Sequence, residues 1–152
     1  MSRPVVLGLL AALGATSLAA QSPLVGVWLV TYPAGVRIEN GEQNAIMGTG
    51  QLRVEAHGDS LLGEFVPNPA PDLPSPRPTQ MTGRAGPGPI SLVAQQSTMV
   101  EINGTQRPVR FTSTWELDVR GDSLVGTLSH HVEDSTVSAQ PPGPVRGVRQ
   151  RP

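Results

Sequence analysis

Apolar and polar residues alternate one for one along two separated stretches of this chain. In the first, Leu52, Val54 and Ala56 lead into a Gly58-Asp59 pair, and Leu61, Gly63 and Phe65 follow it. In the second, Trp115, Leu117 and Val119 lead into Gly121-Asp122, and Leu124, Gly126 and Leu128 follow. A period of two means a strand with one buried face, because successive side chains point to opposite sides of the pleat. Gly-Asp between two such runs fits a two-residue hairpin of type II′, whose first central position needs φ > 0. The two copies are therefore two hairpins.

Folding each copy about its Gly-Asp pair predicts the register. Val119 meets Leu124, Leu117 meets Gly126 and Trp115 meets Leu128 on the inner face, while Glu116 meets Thr127 and Arg110 meets Glu133 on the outer one. In the first copy Ala56 meets Leu61, Leu52 meets Phe65, and Arg53 meets Glu64 outside. Asn103-Gly104 in "EINGTQ" predicts a further hairpin with a type I′ turn, pairing Ile102 with Thr105 and Val100 with Arg107. Pairs next to a two-residue turn are hydrogen-bonded, and the pattern then alternates. The strand from Thr105 to Arg120 thus uses odd-numbered backbone groups toward one neighbour and even-numbered ones toward the other. Pro108, which has no N–H, falls where the second neighbour is ending.

The rest of the chain adds strands of lower contrast. "LVGVWLVTY" (Leu24–Tyr32) sets Gly26, Trp28, Val30 and Tyr32 on one face and Val25, Val27 and Leu29 on the other. Both faces are apolar, so the outer row calls for cover from the Pro-rich segment or from a second copy of the chain, a homodimer through Val25, Val27 and Leu29. A second strand is predicted over about 47–57, with Gly48 and Gly50 allowing close backbone approach. "VPNPAPDLPSPRPTQ" (Val66–Gln80) is a stiff extended connection, read chiefly as a spacer and otherwise as a lid over a pocket or a ligand for a proline-reading module. "GRAGPGPISLVA" (Gly83–Ala94) predicts a third hairpin around Gly86–Gly88, followed by a strand Ser97–Asn103. These count to about eight antiparallel strands. The fold class is all-β, a single antiparallel up-and-down barrel over residues 21–134, which removes edge strands by closing.

The two ends frame that domain. Residues 1–20, "MSRPVVLGLLAALGATSLAA", have a charged start, a short apolar run and small residues at a cleavage point, the pattern of an export signal peptide. That run is shorter than the roughly 20 residues a membrane helix needs. Export to the periplasm or out of the cell is expected, with no membrane span. Residues 135–152, rich in Pro and Arg, are predicted to be a disordered tail. A formal charge of −1 offers no general basic field for nucleic acid, and the absence of cysteine excludes disulfides, thiol catalysis and cysteine-ligated metal.

Candidate chemistry is sparse. "GDSL" is the nucleophile block of a large esterase family, but that chemistry needs a serine on a strand-to-helix turn and a late Asp-x-x-His pair. No such pair occurs in the chain, and the motif appears twice as a turn. "RGDS" at Arg120–Ser123 is a cell-attachment tetrapeptide, yet the first copy has His57 in place of arginine, so what the copies share is turn chemistry. Asn103-Gly-Thr105 matches a glycan acceptor, and the hairpin accounts for it. His130 and His131 are adjacent on a strand, so His130 points inward opposite Ser113 while His131 points outward, and they cannot share a metal. No enzyme, cofactor or metal site is expected.

Leu24-Val-Gly26-Val-Trp28 at the start of the first strand resembles the Gly-x-Trp opening of the calycins, the lipocalins and avidins. The resemblance implies a lipocalin-like barrel holding a small apolar ligand, with Trp28 plugging one end. The pattern departs in two respects: no arginine following the last predicted strand packs on Trp28, and no C-terminal helix appears. Two functions follow. One is an exported binder of a small apolar molecule, lined by Trp28, Phe65, Phe111 and Trp115. The other is a barrel with a filled interior, serving as a structural or protein-interaction module.

Overall fold

The computed structural model describes residues 22–71, 73 and 75–152. The expected signal peptide at residues 1–20 lies outside them. Eight strands follow one another: β1 (Gly26–Glu39), β2 (Glu42–His57), β3 (Ser60–Pro67), β4 (Thr79–Arg84), β5 (Ile90–Ile102), β6 (Thr105–Arg120), β7 (Ser123–Val132) and β8 (Gly143–Arg149). Each pairs antiparallel with its neighbours, and β1 pairs with β8, closing an up-and-down barrel. No helix long and apolar enough to cross a membrane occurs among the described residues.

Turn chemistry sets the register as the alternation predicts. Gly58 and Gly121 have φ of 60° and 63°, while Asp59 and Asp122 stay at negative φ, as type II′ turns require. Asn103 and Gly104 have φ of 53° and 79°, the two positive values of a type I′ turn. Leu52 lies opposite Phe65, Ala56 opposite Leu61, Trp115 opposite Leu128, Val119 opposite Leu124 and Val100 opposite Arg107. The Glu133 amide donates to the Arg110 carbonyl at 3.1 Å, the last bond on that side of β6, so Pro108 lacks an N–H where no strand asks for one.

The C-terminal segment corrects the expectation of a disordered tail. Residues 143–149 form β8, inserted between β7 and β1. Val145 is fully buried in the core, and Gly147 lies close against Val30 and Leu124. The Arg149 amide donates to the Asp122 carbonyl and the Gln150 amide to the Val27 carbonyl, both at 2.8 Å. Even-numbered amides of β8 therefore face β1. Pro144 falls on that side, beyond the last β1 pair at Thr31–Arg146, so its missing N–H costs no ladder bond. The eight strands differ from those expected: the second arm of the hairpin around Gly86–Gly88 and the strand expected over Ser97–Asn103 are one strand, β5, and the eighth is β8. β8 also supplies the arginine that was not found, since the Arg149 guanidinium lies 4.2 Å from the Trp28 ring centroid.

β1 and β2 run further than predicted, joined by a type I′ turn at Asn40-Gly41 with φ of 54° and 82°. Of the outer row expected on β1, Val25 packs against the core, Val27 is half-buried, and Leu29 is 45% exposed beside Val148 on β8.

The two ends of the barrel differ. One carries the turns at 58–59 and 121–122 and is filled by Leu24, Trp28, Val54, Leu61, Leu117 and Leu124, all essentially without solvent exposure. The other carries two hairpin tips, at 40–41 and 103–104, and two long connections, 68–78 and 133–142.

Candidate functional site

A cavity of about 480 Å³ occupies the second end. Its floor is aromatic because inward positions on β1, β3 and β6 converge there. Phe65 and Tyr32 meet edge to face with centroids 4.8 Å apart, and Phe65 and Trp115 are 4.9 Å apart. Tyr32 and Trp115 stack with centroids 5.9 Å apart and their planes inclined by 29°. Aromatic packing in such offset and edge-on arrangements holds the rings in place. Gly50 on β2 makes room for this cluster: a Cβ there would come within 2.5 Å of the Phe65 ring and 2.7 Å of the Val66 carbonyl oxygen.

The opposite wall is polar. Ser113 Oγ donates to Gln96 Oε1 at 3.0 Å and lies 2.9 Å from His130 Nδ1. Gln96 Nε2 donates in turn to Thr79 Oγ1 at 3.0 Å. Phe111 stands edge-on to the His130 ring at 5.8 Å. Burial pushes the His130 pKa below the ordinary histidine value, favouring the neutral ring, and pushes the Tyr32 phenol up.

Two long connections edge the mouth. Leu73, Ser75, Pro76 and Arg77 come from the Pro-rich one, and Ser138, Ala139 and Gln140 from the one before β8. Asn68 anchors the first, its amide donating to the Thr49 carbonyl at 2.8 Å and its side chain to Thr49 Oγ1 at 2.9 Å. The Pro-rich segment therefore borders a pocket as well as spanning β3 to β4. Among the described lining residues Arg77 is the one permanent charge, and no carboxylate is present.

Of the four residues expected to line a ligand site, Phe65, Phe111 and Trp115 border the cavity. Trp28 does not. It is fully buried at the other end, its indole N–H donating to the Leu24 carbonyl at 2.9 Å. Tyr32 and Gln96 were missed as site residues, although Tyr32 shares the inward parity of Trp28 and Val30. His130 faces inward against Ser113, and His131 is outward and exposed. No group of three or more metal-ligating side chains occurs among the described residues. The Asp of RGDS is engaged: Asp122 pairs with Arg151 and lies 3.6 Å from Arg149 Nε, and these contacts hold its carboxyl below the usual range.

Comparison of the chain with protein-family models, with curated proteins and with solved structures found no match.

Proposed function

We propose that this chain is an exported, calycin-like binder of a small, largely apolar molecule, held in the open end of the barrel. The observation that carries the reading is the cavity of about 480 Å³, inside the range of roughly 300–1,000 Å³ usual for small-molecule sites. Aromatic walls and a few convergent polar groups give the mixture of apolar area and orienting contacts that such sites use. A barrel filled solid and acting only through its outer wall would lack this space. Phe65, Phe111 and Trp115 are the apolar contacts, and Trp28 is the plug at the far end. Export, to the periplasm or beyond, rests on residues 1–20 and their signal-peptide pattern. No catalytic group or cofactor enters the reading.

Titration with N-phenyl-1-naphthylamine, a neutral probe that brightens in apolar surroundings, tests it. The probe should bind saturably and quench tryptophan emission by energy transfer. Quenching should be stronger in a Trp28→Phe variant, where Trp115 at the cavity is the tryptophan that remains, than in Trp115→Phe, where the more distant Trp28 remains. Saturable binding that leaves Trp115 emission untouched, or no binding at all, would overturn the proposal.

A further inference from the structure

The direction of the hydrogen bonds along the polar wall specifies what the ligand must offer. Ser113 has one hydroxyl hydrogen, and it is donated to Gln96 Oε1. At the 2.9 Å contact with His130, Ser113 Oγ is therefore the acceptor, and the proton sits on His130 Nδ1. In the neutral ring the other nitrogen, Nε2, is then a bare lone pair. Nε2 has no hydrogen-bond partner among the described residues. Since no fully buried side-chain nitrogen or oxygen among them is left without one, it reaches the open space that His130 lines. The Trp115 indole N–H and the Tyr32 hydroxyl likewise have no hydrogen-bond partner among the described residues, and both residues border that space.

We infer that the ligand is a flat, neutral aromatic molecule bearing a hydroxyl or ring N–H that donates to His130 Nε2, as a phenol or an N–H heteroaromatic does. The inference rests on the binding reading above and narrows it to a ligand class. The ring packs edge-on or offset against the cluster of Tyr32, Phe65 and Trp115 that borders the cavity, the arrangement that aromatic rings already adopt there. The donor is required because a lone pair buried by a ligand that cannot donate loses its water and gains nothing. An acceptor on the same ligand can take the Trp115 N–H or the Tyr32 hydroxyl. A carboxylate head is disfavoured: it has no proton to give Nε2 at neutral pH, and Arg77, the cation among the described lining residues, is exposed at the rim where water screens it.

Calorimetric titration at pH 7.5 with three matched probes tests this: 2-naphthol, 2-methoxynaphthalene and 2-naphthoate. The first can donate, the second can only accept, and the third is an anion of the same ring. The native protein should prefer 2-naphthol to its ether by about tenfold, the worth of one hydrogen bond to a desolvated acceptor. His130→Phe should erase that preference while retaining binding of the ether. Ser113→Ala, a milder change, removes the acceptor that holds the proton on Nδ1 and should reduce the preference. If His130→Phe does not fold, Ser113→Ala carries the test. Equal affinity for naphthol and ether overturns the donor requirement and leaves the binding reading standing. Tightest binding by naphthoate overturns it in favour of an anion at Arg77. A naphthol preference that survives both substitutions shows that His130 is not the acceptor. Failure of all three probes overturns this inference, while the binding reading stands or falls with N-phenyl-1-naphthylamine.

Discussion

Arg149 stacks its guanidinium 4.2 Å from the centre of the Trp28 ring and uses the same group to hold the chain on either side of Leu24. Nη1 donates to the Val25 carbonyl at 2.9 Å and Nη2 to the Pro23 carbonyl at 2.6 Å. The Trp28 indole N–H meanwhile donates to the Leu24 carbonyl at 2.9 Å. A residue on the last strand thus fixes the segment that leads into the first, and Leu24 is pressed without exposure into the end of the barrel. One side chain thus ties the closing strand to the sealed end of the barrel.

Arg149→Ala should therefore destabilise the protein by about 2–4 kcal/mol, combining a cation–π contact with two charge-assisted hydrogen bonds. Arg149→Lys should recover only a minor part, because an ammonium cannot stack and reach two carbonyls in a fixed fork. Urea unfolding measures both. Emission from Trp28, read in a Trp115→Phe background, should move to longer wavelength in Arg149→Ala as water reaches the ring. An unchanged midpoint would mean that the stacking contributes nothing to closure.

Removing residues 143–152 should abolish cooperative unfolding. Without β8, the facing edges of β1 and β7 are left unpaired and the core loses Val145. Open edges with an exposed core also promote association. Trimming Arg151 and Pro152 alone should leave stability nearly unchanged, since the Arg151–Asp122 pair is an exposed, solvent-screened ion pair. Thermal and urea melts of the two truncations separate β8 from its exposed end. A cooperative melt in the longer deletion would refute the role assigned to the strand.

How much of this was legible depended on whether local chemistry or the rest of the barrel fixes each element. The hairpins at 58–59, 103–104 and 121–122 could be read because turn residues and two-fold alternation agree on the same register. β8 could not. Its stretch has Val145 as its one buried side chain, and its stability comes from two waiting strand edges rather than from its own composition. The Asn40-Gly41 hairpin was overlooked because the β1–β2 register shifts between Pro33 and Gly35, and the residues beyond are mostly exposed. That leaves the tip with no buried face to impose alternation. In the site, Phe65, Phe111 and Trp115 followed from inward parity. Trp28 has the same parity but lies at the other end, a height along the barrel axis that parity does not encode. Gln96 joins the polar wall from a strand that the sequence reading broke in two just beside it.

Stability should fall as pH drops from 8 toward 5, in a component assignable to His130. Burial lowers its pKa in the folded state, so in this window the unfolded chain binds more protons than the folded one. The contribution is fully present above the unfolded value of about 6.5 and is lost as pH falls through the folded value. Tyr32, raised by burial, does not titrate in this range. The depressed carboxyls of Asp122 and Asp134 act below about pH 4, where their stabilisation is lost in turn. Urea midpoints measured across pH 5–8 should slope less steeply in His130→Gln than in the native protein. Parallel slopes would place the titrating group elsewhere.

Gly50→Ala tests whether the aromatic floor is held by the wall behind it. The added methyl would stand 2.5 Å from Phe65 Cε2 and 2.7 Å from the Val66 carbonyl oxygen, closer than carbon atoms pack. The backbone neighbour belongs to the β2–β3 ladder and gives little, so the Phe65 ring has to move away from β2, toward Tyr32 and Trp115. Overpacking of this kind costs about 1–3 kcal/mol. The displaced ring also takes up cavity space, so N-phenyl-1-naphthylamine should bind more weakly than to the native protein. Gly86→Ala is the matched control, since its added methyl meets nothing within 4 Å and its φ is not positive. It should leave the urea midpoint and probe binding unchanged. If Gly50→Ala behaves like this control in both measurements, the Phe65 ring is free to repack without cost and the cavity is not shaped by the contact with β2.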